Sequence, residues 1–596
     1  MSVQCRSCGH LSRDTEFCDR CNADLGKSAI ALPPERCPVT PGGISLSLEQ
    51  RNALCFPDAS ALISGERSAW RVHWVANDDW QERSRAIQRR LALKGPAFAE
   101  GRIVEDTAGR WLIYDATPQQ ALPWELPRQE GLDDLHALSV AVRSLTLTLE
   151  SLHRESLVWL SFDPHSLEDG SGIEGPAPRP LRITNLDLAV FPFASMPERV
   201  RVHPHFAAPE IAAYRLSEIG PRSDVYHLAV FTYYWLAGAL PDGLPGGGLE
   251  HHQYELPALR VFATNLPPGI VPVVARGASA NVHERYPSPR QFADALDQAI
   301  ANARLRLDAS PRISWDIGGL TRAGRCKAEA NRSNEDTILI KDDDHCALLA
   351  VADGVSTCDI GSGGLASMMS VMMVENAFAG GCTHDGFPTL IAGTTRRSSE
   401  ALLEWALANN CQAELEAGKD LMGTTLTVAW LHGRQMSVAN LGDSRAYLVT
   451  GNVIEQLTVD GDLASDLLAR GAAPEEVKEL GVMARALREC VGGCTKGDDG
   501  ELTILEESAQ PRVSRWPLLP GDIVVLCSDG LVEEGFFLEP EMVAAIVRRN
   551  QHESASNIAT RLVDAADAMQ RIPSALDPDG FGDNISCIVV KIMEAP

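Results

Sequence analysis

Positive charge is scarce in this chain: 53 Lys and Arg face 80 Asp and Glu, a formal net charge of −27 over 596 residues. No basic stripe offsets that balance, which argues against general nucleic-acid binding, where lysines and arginines must neutralise phosphates. Long hydrophobic runs are lacking too. The most apolar stretch, VYHLAVFTYYWLAGAL from Val225 to Leu240, is shorter than the ~20 residues that cross a bilayer. It also carries His227, so a buried globular helix and no membrane span are predicted. The opening MSVQCRSCGH has no apolar core, so no secretory signal is expected. The 15 cysteines are mostly scattered and lack a secretory context, which fits reduced thiols and a cytoplasmic location. What remains is ordinary globular material. With 45% hydrophobic and 22% charged residues the chain can build real cores, and its length predicts about three or four domains.

Two cysteine pairs open the chain, Cys5-x-x-Cys8 and Cys18-x-x-Cys21. Four thiolates can hold one tetrahedral zinc, and the metal supplies folding energy that so short a segment lacks. Four protein ligands leave no open position, so residues 1–26 are expected to be a structural zinc ribbon for docking or spacing. The rival reading, a redox pair, lacks a surrounding strand–helix pattern. Residues 27–44, rich in Pro and Gly around ALPPERCPVTPGG, read as a linker.

The second half repeats one punctuation. The apolar run ALLAVADGVS ends on Asp353-Gly354, and DIVVLCSDGLVEE places Asp529-Gly530 after another apolar strand. Asp583-Asn584 precedes a third strand in DPDGFGDNISCIVVKI, Asp443 lies between two strands in SVANLGDSRAYLV, and Glu335-Asp336 leads into NRSNEDTILI. A single Asp-Gly is also a favoured hairpin turn. Carboxylates recurring at strand ends instead suggest a shared mouth where oxygen ligands hold hard cations.

That ordered set resembles the metal-dependent Ser/Thr phosphatases of the protein phosphatase 2C type. The matching stretches are Asn334-Glu335-Asp336, Asp353-Gly354, Gly423-Thr424-Thr425, Asn440-Leu441-Gly442-Asp443-Ser444-Arg445, Ser528-Asp529-Gly530-Leu531 and Asp583-Asn584. The resemblance implies two manganese or magnesium ions and attack on phosphorus by a metal-activated water, with Asp353, Asp529 and Asp583 central to catalysis. It implies that Asp353 bridges the ions, that Asp529 and Asp583 complete one, and that the Gly354 carbonyl serves the other. Glu335 and Asp336 act near the second ion, and Asp443 near a weaker third. Asn440, Ser444 and Arg445 are expected to brace the turn that carries Asp443. Cys527, within an apolar strand and without a phosphate loop, is expected to pack rather than act as a nucleophile.

Three places depart from the family pattern. The arginine usually found five residues before the Asp of N-E-D, to grip phosphate, is Asn331 here. Arg332 is adjacent and is the candidate phosphate-binding residue, although a strand would turn its side chain to the other face; Arg325 or Lys327 are the alternatives. The family's D-G-x-G-G becomes Asp353-Gly354-Val355-Ser356-Thr357, and its T-x-D-H-S becomes Thr458-Val459-Asp460-Gly461-Asp462.

Residues 45–305 alternate strands and helices and resemble the bilobal protein-kinase fold. Leu152-His153 followed by LVWLSFDPHSL looks like the catalytic-loop region, Ala208-Pro209-Glu210 matches A-P-E, Ser223-Asp224-Val225-Tyr226 begins the long apolar helix, and Arg285 fits the arginine that anchors the C-lobe. The chemistry is missing. There is no glycine-rich phosphate loop, and WRVHWVA has no lysine. Trp159-Leu160-Ser161 replaces H-R-D, Asp163 and Ser166 stand where lysine and asparagine are expected, and Asn185-Leu186-Asp187 replaces D-F-G. Each lost part costs phosphoryl transfer orders of magnitude, so this segment reads as a pseudokinase.

After a connector at 306–311, residues 312–596 are expected to form the phosphatase-like part. Period-two strands flank His432-Gly433-Arg434 and Thr450-Gly451-Asn452 as hairpins, while GLASMMSVMMVENAF, SEALLEWALANNCQAELEA and SASNIATRLVDAADAM have helical spacing. The methionines of the first helix are expected to fill core. The fold class is therefore multidomain α+β: a zinc ribbon, a kinase-like bilobal domain, and a C-terminal sandwich of two mostly antiparallel sheets between helices, the α-β-β-α arrangement of the resembled family. The expected function is hydrolysis of phosphoserine and phosphothreonine in a phosphoprotein substrate, targeted or regulated by the zinc ribbon and pseudokinase, through which a cognate kinase or signalling partner could bind. The alternatives are a catalytically weak or inactive scaffold that binds phosphoproteins and a fusion with both kinase and phosphatase activity.

Overall fold

The structure is a computed structural model. Its described residues are 3–4, 11–12, 33–40, 43–54, 61–64, 69–93, 101–116, 132–160, 167–169, 181–183, 190–196, 207–238, 256, 259–263, 266–308, 312–343, 345–469, 472, 477, 479–497, 501–505, 509–533, 535–571 and 581–595. The cysteines of the expected zinc ribbon, Cys5, Cys8, Cys18 and Cys21, lie outside them, as do Ser161, Asp163, Ser166 and Asn185-Leu186-Asp187. The chain divides into two compact units. One comprises Met1–Leu259, Val273–Ala301 and Gly471–Glu475, the other Arg260–Pro272, Asn302–Arg470 and Glu476–Pro596.

In the first unit a four-stranded antiparallel sheet runs in the order Ala61–Ser64, Ala69–Ala76, Gly109–Ala116, Gly101–Glu105, with the helix Asn77–Ala92 following its second strand. The strand Ala69–Ala76 is the WRVHWVA run; His73, buried, occupies its middle. Helices Leu132–Arg154 and Pro221–Ala237 pack together. The second is the apolar run noted in the sequence. It is buried almost throughout and stops at Gly238, whose φ of 82° is the left-handed geometry that a glycine adopts without strain. No helix among the described residues is long and apolar enough to cross a membrane.

The second unit is built on two five-stranded antiparallel sheets. In chain order its strands are β1 (Ile313–Arg322), β2 (Thr337–Asp342), β3 (Cys346–Ala352), β4 (Leu426–His432), β5 (Gln435–Leu441), β6 (Arg445–Thr450), β7 (Val453–Gln456), β8 (Arg512–Pro517), β9 (Ile523–Cys527) and β10 (Ile585–Glu594). One sheet has the order β1-β10-β9-β6-β7 and the other β2-β3-β4-β5-β8. The helices that matter are α1 (Arg325–Glu329), α2 (Gly363–Phe378), α3 (Phe387–Ala408), α4 (Pro540–Arg549) and α5 (Ala555–Met569). Three apolar layers result. Leu348, Ala350 and Ala352 of β3 face Phe378 of α2 and Phe387 and Ile391 of α3. Ala347, Leu349 and Val351 of the same strand point the other way, into the space between the sheets with Leu448, Val524 and Ile588. Val525, Val589 and Ile585 of the second sheet meet Ile558, Leu562 and Val563 of α5. Successive side chains on a strand alternate faces, so a strand with apolar layers on both sides must be apolar at every position. That is why ALLAVA reads as one continuous run.

Both predicted hairpins form, with Gly433-Arg434 joining β4 to β5 and Gly451-Asn452 joining β6 to β7. Three details differ from expectation. The helix read from Ser399 to Ala417 starts at Phe387 and ends at Ala408; Asn410, at φ 61°, breaks it before a short helix Gln412–Glu416. The helix Pro289–Asp308 runs into the residues expected to be connector, because Arg306 is buried and pairs with both oxygens of Asp522 (2.6 and 3.0 Å). Met368 and Met372 are 47% and 53% exposed and fill no core; one turn apart on α2, they share its outer face.

Candidate metal centre

Each predicted carboxylate lies where a strand of the second unit begins or ends. Asp353 follows β3, Asp529 follows β9 after Ser528, Asp583 precedes β10, Glu335-Asp336 precede β2, and Asp443 sits in the turn from β5 to β6. Antiparallel pairing of β9 with β10 sets the ends carrying Asp529 and Asp583 side by side.

The backbone around Asp353 is held by the Gly-Thr-Thr stretch. Its N–H donates to Thr425 Oγ1 (3.0 Å), and its carbonyl accepts from the Thr425 N–H (2.9 Å) and the Thr424 hydroxyl (2.8 Å). Thr425 Oγ1 also shares a hydrogen bond with Ser444 Oγ (2.7 Å), which ties Asp353 to the loop bearing Asp443. Asn440 braces that loop, accepting from Thr427 Oγ1 and donating to the carbonyls of Gly442 (2.9 Å) and Val459 (3.0 Å). Gly354 is required by crowding, since a Cβ there would lie 2.2 Å from the backbone carbon of Gly363. Arg445 turns away from the carboxylate mouth to Asp460 (2.7 Å), the residue that stands in the altered T-x-D-H-S stretch.

The electrostatics show that these acids share one region. Burial raises the Asp353 carboxyl well above its ordinary value, and Asp336, Asp529 and Asp583 push it further. Asp336 is pushed up to about 7, first by burial and then by Asp583 and Asp529, against hydrogen bonds from Ser586 and Ser528. Asp529 is raised by burial and Asp583, while a hydrogen bond from the Asp353 carboxyl lowers it. Asp443 is raised by burial, then by Asp529 and Asp460. Like charges crowded in a low-dielectric setting favour protonation or a counter-cation.

One counter-cation is part of the chain. Lys327, on the short helix α1, is buried, and its Nζ stands 2.5 Å from Asp583 Oδ1 and 3.8 Å from Glu335 Oε2. It donates to Ser356 Oγ and Asn584 Oδ1, both at 3.1 Å. Burial alone would lower its pKa, but Asp583, Asp353 and Glu335 outweigh that and hold it above the ordinary lysine value. Arg332 is exposed, and Arg325 pairs with Asp567 (3.2 Å). Of the three basic residues considered, Lys327 is therefore the one among the carboxylates. Nothing in its spacing distinguished it, because a five-residue helix rather than a strand carries it.

The donor set is all oxygen, and Oδ1 of Asp336 and Oδ1 of Asp529 are buried without a hydrogen-bond partner. Such orphaned carboxylate oxygens fit a hard divalent cation. Among the described residues no three His, Cys, Asp or Glu side chains are gathered as around a bound ion; Asp583 is drawn to Lys327 and Asp353 to Asp529. Cys527 is fully buried, and burial pushes its thiol up to about 12, so it packs as expected and supplies no thiolate.

Residues 323–566 match the family model described as Protein phosphatase 2C. The serine/threonine phosphatase stp of Listeria monocytogenes is 28% identical over 196 residues, covering 32% of this chain and 69% of that protein. The serine/threonine protein phosphatase PstP of Mycobacterium tuberculosis is 25% identical over 284 residues, covering 48% of this chain and 46% of that one. A solved serine/threonine phosphatase of S. agalactiae aligns at 20% identity and a TM-score of 0.36, over 47% of this chain and 99% of its own. The C-terminal half of this chain is thus similar to phosphatases of the protein phosphatase 2C type.

Proposed function

We propose that the chain is a metal-dependent phosphatase that removes phosphate from phosphoserine and phosphothreonine in a phosphoprotein. The observation that carries this reading is the convergence of Asp336, Asp353, Asp529 and Asp583, from four separate strand ends, into one mutually interacting set, Asp336 buried and the others half-buried. Asp353, Asp529 and Asp583 would hold one or both of two manganese or magnesium ions, with the Gly354 carbonyl, Glu335 and Asp336 on the second and Asp443 towards a third. Divalent ions bound there would lower the pKa of water and offset charge on a phosphoryl group. The chain's own residues do the positioning. Thr424 and Thr425 fix the backbone of Asp353. Ser528 donates to Asp336 Oδ2 (2.9 Å), leaving that carboxylate's other oxygen for a cation. Lys327 supplies the positive charge that the family pattern places on an arginine, in preference to the exposed Arg332.

The test uses the full chain. Manganese-dependent hydrolysis of an aryl phosphate and a phosphothreonine peptide is expected, lost with chelator and reduced by at least about 100-fold in Asp529→Asn, the scale on which catalytic electrostatics act. No turnover of either substrate would leave the second reading, a non-catalytic scaffold that binds phosphoproteins. The ion pair from Lys327 to a proposed metal ligand favours that alternative.

The remaining parts are proposed as accessories. The reading of the middle segment as a pseudokinase is supported by Arg285, which holds Glu210 through two hydrogen bonds (2.8 and 3.0 Å), and by Asp224, which accepts from the Trp159 N–H (3.2 Å) and bonds His153 (2.7 Å). These keep a lobe together without supplying transfer chemistry. The zinc ribbon at Cys5, Cys8, Cys18 and Cys21 rests on spacing alone, and a cytoplasmic setting on the free thiols. Both accessories would target or control the phosphatase.

A further inference from the structure

Lys327 is seated as a ligand would be. An ammonium has three N–H donors, and here they have three oxygen partners: Asp583 Oδ1 (2.5 Å), Ser356 Oγ (3.1 Å) and Asn584 Oδ1 (3.1 Å). The seat is itself braced. Ser356 Oγ donates to Glu335 Oε2 (2.5 Å), and Asn584 Oδ1 also accepts from the Glu335 N–H (3.1 Å). A lysine on the short helix α1 thus meets a serine in the loop where the resembled family has D-G-x-G-G. Among the described residues, Glu335, Asp336, Asp353 and Asp529 face no second lysine or arginine at ion-pair distance. Asp336 and Asp529 each keep one buried oxygen without a hydrogen-bond partner.

We propose that Lys327 is a tethered competitor for one of the divalent cations: its ammonium occupies the Asp583–Glu335 side of the mouth and must be displaced before that side takes an ion. The metal-free protein is thereby partly self-neutralised. Two ions do not bind alike; the one completed by Asp529 and Asp583 enters against the Lys327 ammonium on Asp583. The device sets a threshold of free divalent cation below which the centre is incompletely loaded. This inference rests on the metal-centre reading above.

The test compares the full-length wild type with Lys327→Met, Lys327→Gln and Lys327→Arg, all stripped with chelator. Manganese binding is followed by titration calorimetry, and the unfolding temperature of each metal-free protein is measured. The neutral variants are expected to bind the weaker manganese ion about tenfold or more tightly, as removal of a nearby like charge at a partly buried site predicts, or to bind one ion more than the wild type. Their metal-free forms are expected to unfold at lower temperature, since Asp583 loses its counter-ion, and Lys327→Arg to stay near the wild type. Two neutral variants guard against a folding defect in either one. Equal affinity and stoichiometry in wild type and neutral variants overturns the competitor role while leaving the metal centre standing, and so does weaker binding in the neutral variants. Absence of manganese binding in all four proteins overturns the metal-centre reading and this inference with it.

Discussion

A threonine hydroxyl governs the geometry of the best-placed carboxylate. Thr425 Oγ1 accepts from the Asp353 N–H and shares a bond with Ser444 Oγ, in a site that is almost completely buried. Thr425→Val preserves shape but leaves the buried N–H and hydroxyl unpaired, which costs ~1–3 kcal/mol. The expected outcome is a lower urea midpoint by that amount, together with weaker manganese binding, because Asp353 and the Asp443 loop are loosened together. A variant with unchanged midpoint and unchanged metal affinity would show that the bond is ornamental. Lys327 belongs to the same scale. Its role was not legible from residue type, since Arg325, Lys327 and Arg332 stood within one short stretch. Only helix α1, which buries the middle one while Arg332 beyond it stays exposed, separates them.

Among elements, the buried pair between Glu210 and Arg285 spans 75 residues of the first unit and is fully shielded from water. Burial alone would raise the Glu210 carboxyl, but the Arg285 guanidinium and then Ser223 outweigh it and hold it below the ordinary glutamate value. A depressed pKa in the folded state contributes stability that is complete above the unfolded value and disappears as pH falls through the folded one. The first unit should therefore lose stability in acid below the ordinary glutamate range. Arg285→Met removes one partner and leaves a buried charge, a loss of ~3–5 kcal/mol at neutral pH, and it flattens that acid slope. Urea unfolding at neutral pH and in acid checks both, and a slope unchanged by the substitution would assign the acid lability elsewhere. Element boundaries were less legible than element type. The helix α3 begins twelve residues before the stretch that announced it, because Phe387 and Ile391 pack against Phe378 and the sheet containing β3 and β4, contacts invisible to local periodicity.

Two compact units in one chain give the whole molecule a separable response. A ligand that binds only the folded form raises stability in proportion to its occupancy, and only for the unit that holds it. Manganese is accordingly expected to raise the calorimetric transition of the second unit and leave that of the first in place, whereas Arg285→Met is expected to lower only the first. A transition of the first unit that moves with manganese would locate a metal site there instead.

The sequence alone determined much of the local architecture and pointed to the acidic residues that meet in the second unit. The recurrent Asp-Gly and Asp-Asn punctuation named the carboxylates, and the period-two and period-3.6 stretches named the hairpins and the helices α2 and α5, because these depend on near neighbours in the chain. Tertiary structure decided which apolar strand faces two layers, that Met368 and Met372 lie on an outer face, and that Lys327 rather than Arg332 enters the acidic mouth. Those outcomes depend on which segments meet across hundreds of residues, and on the burial that turns a scattered set of acids into one mutually repelling group with a lysine among them.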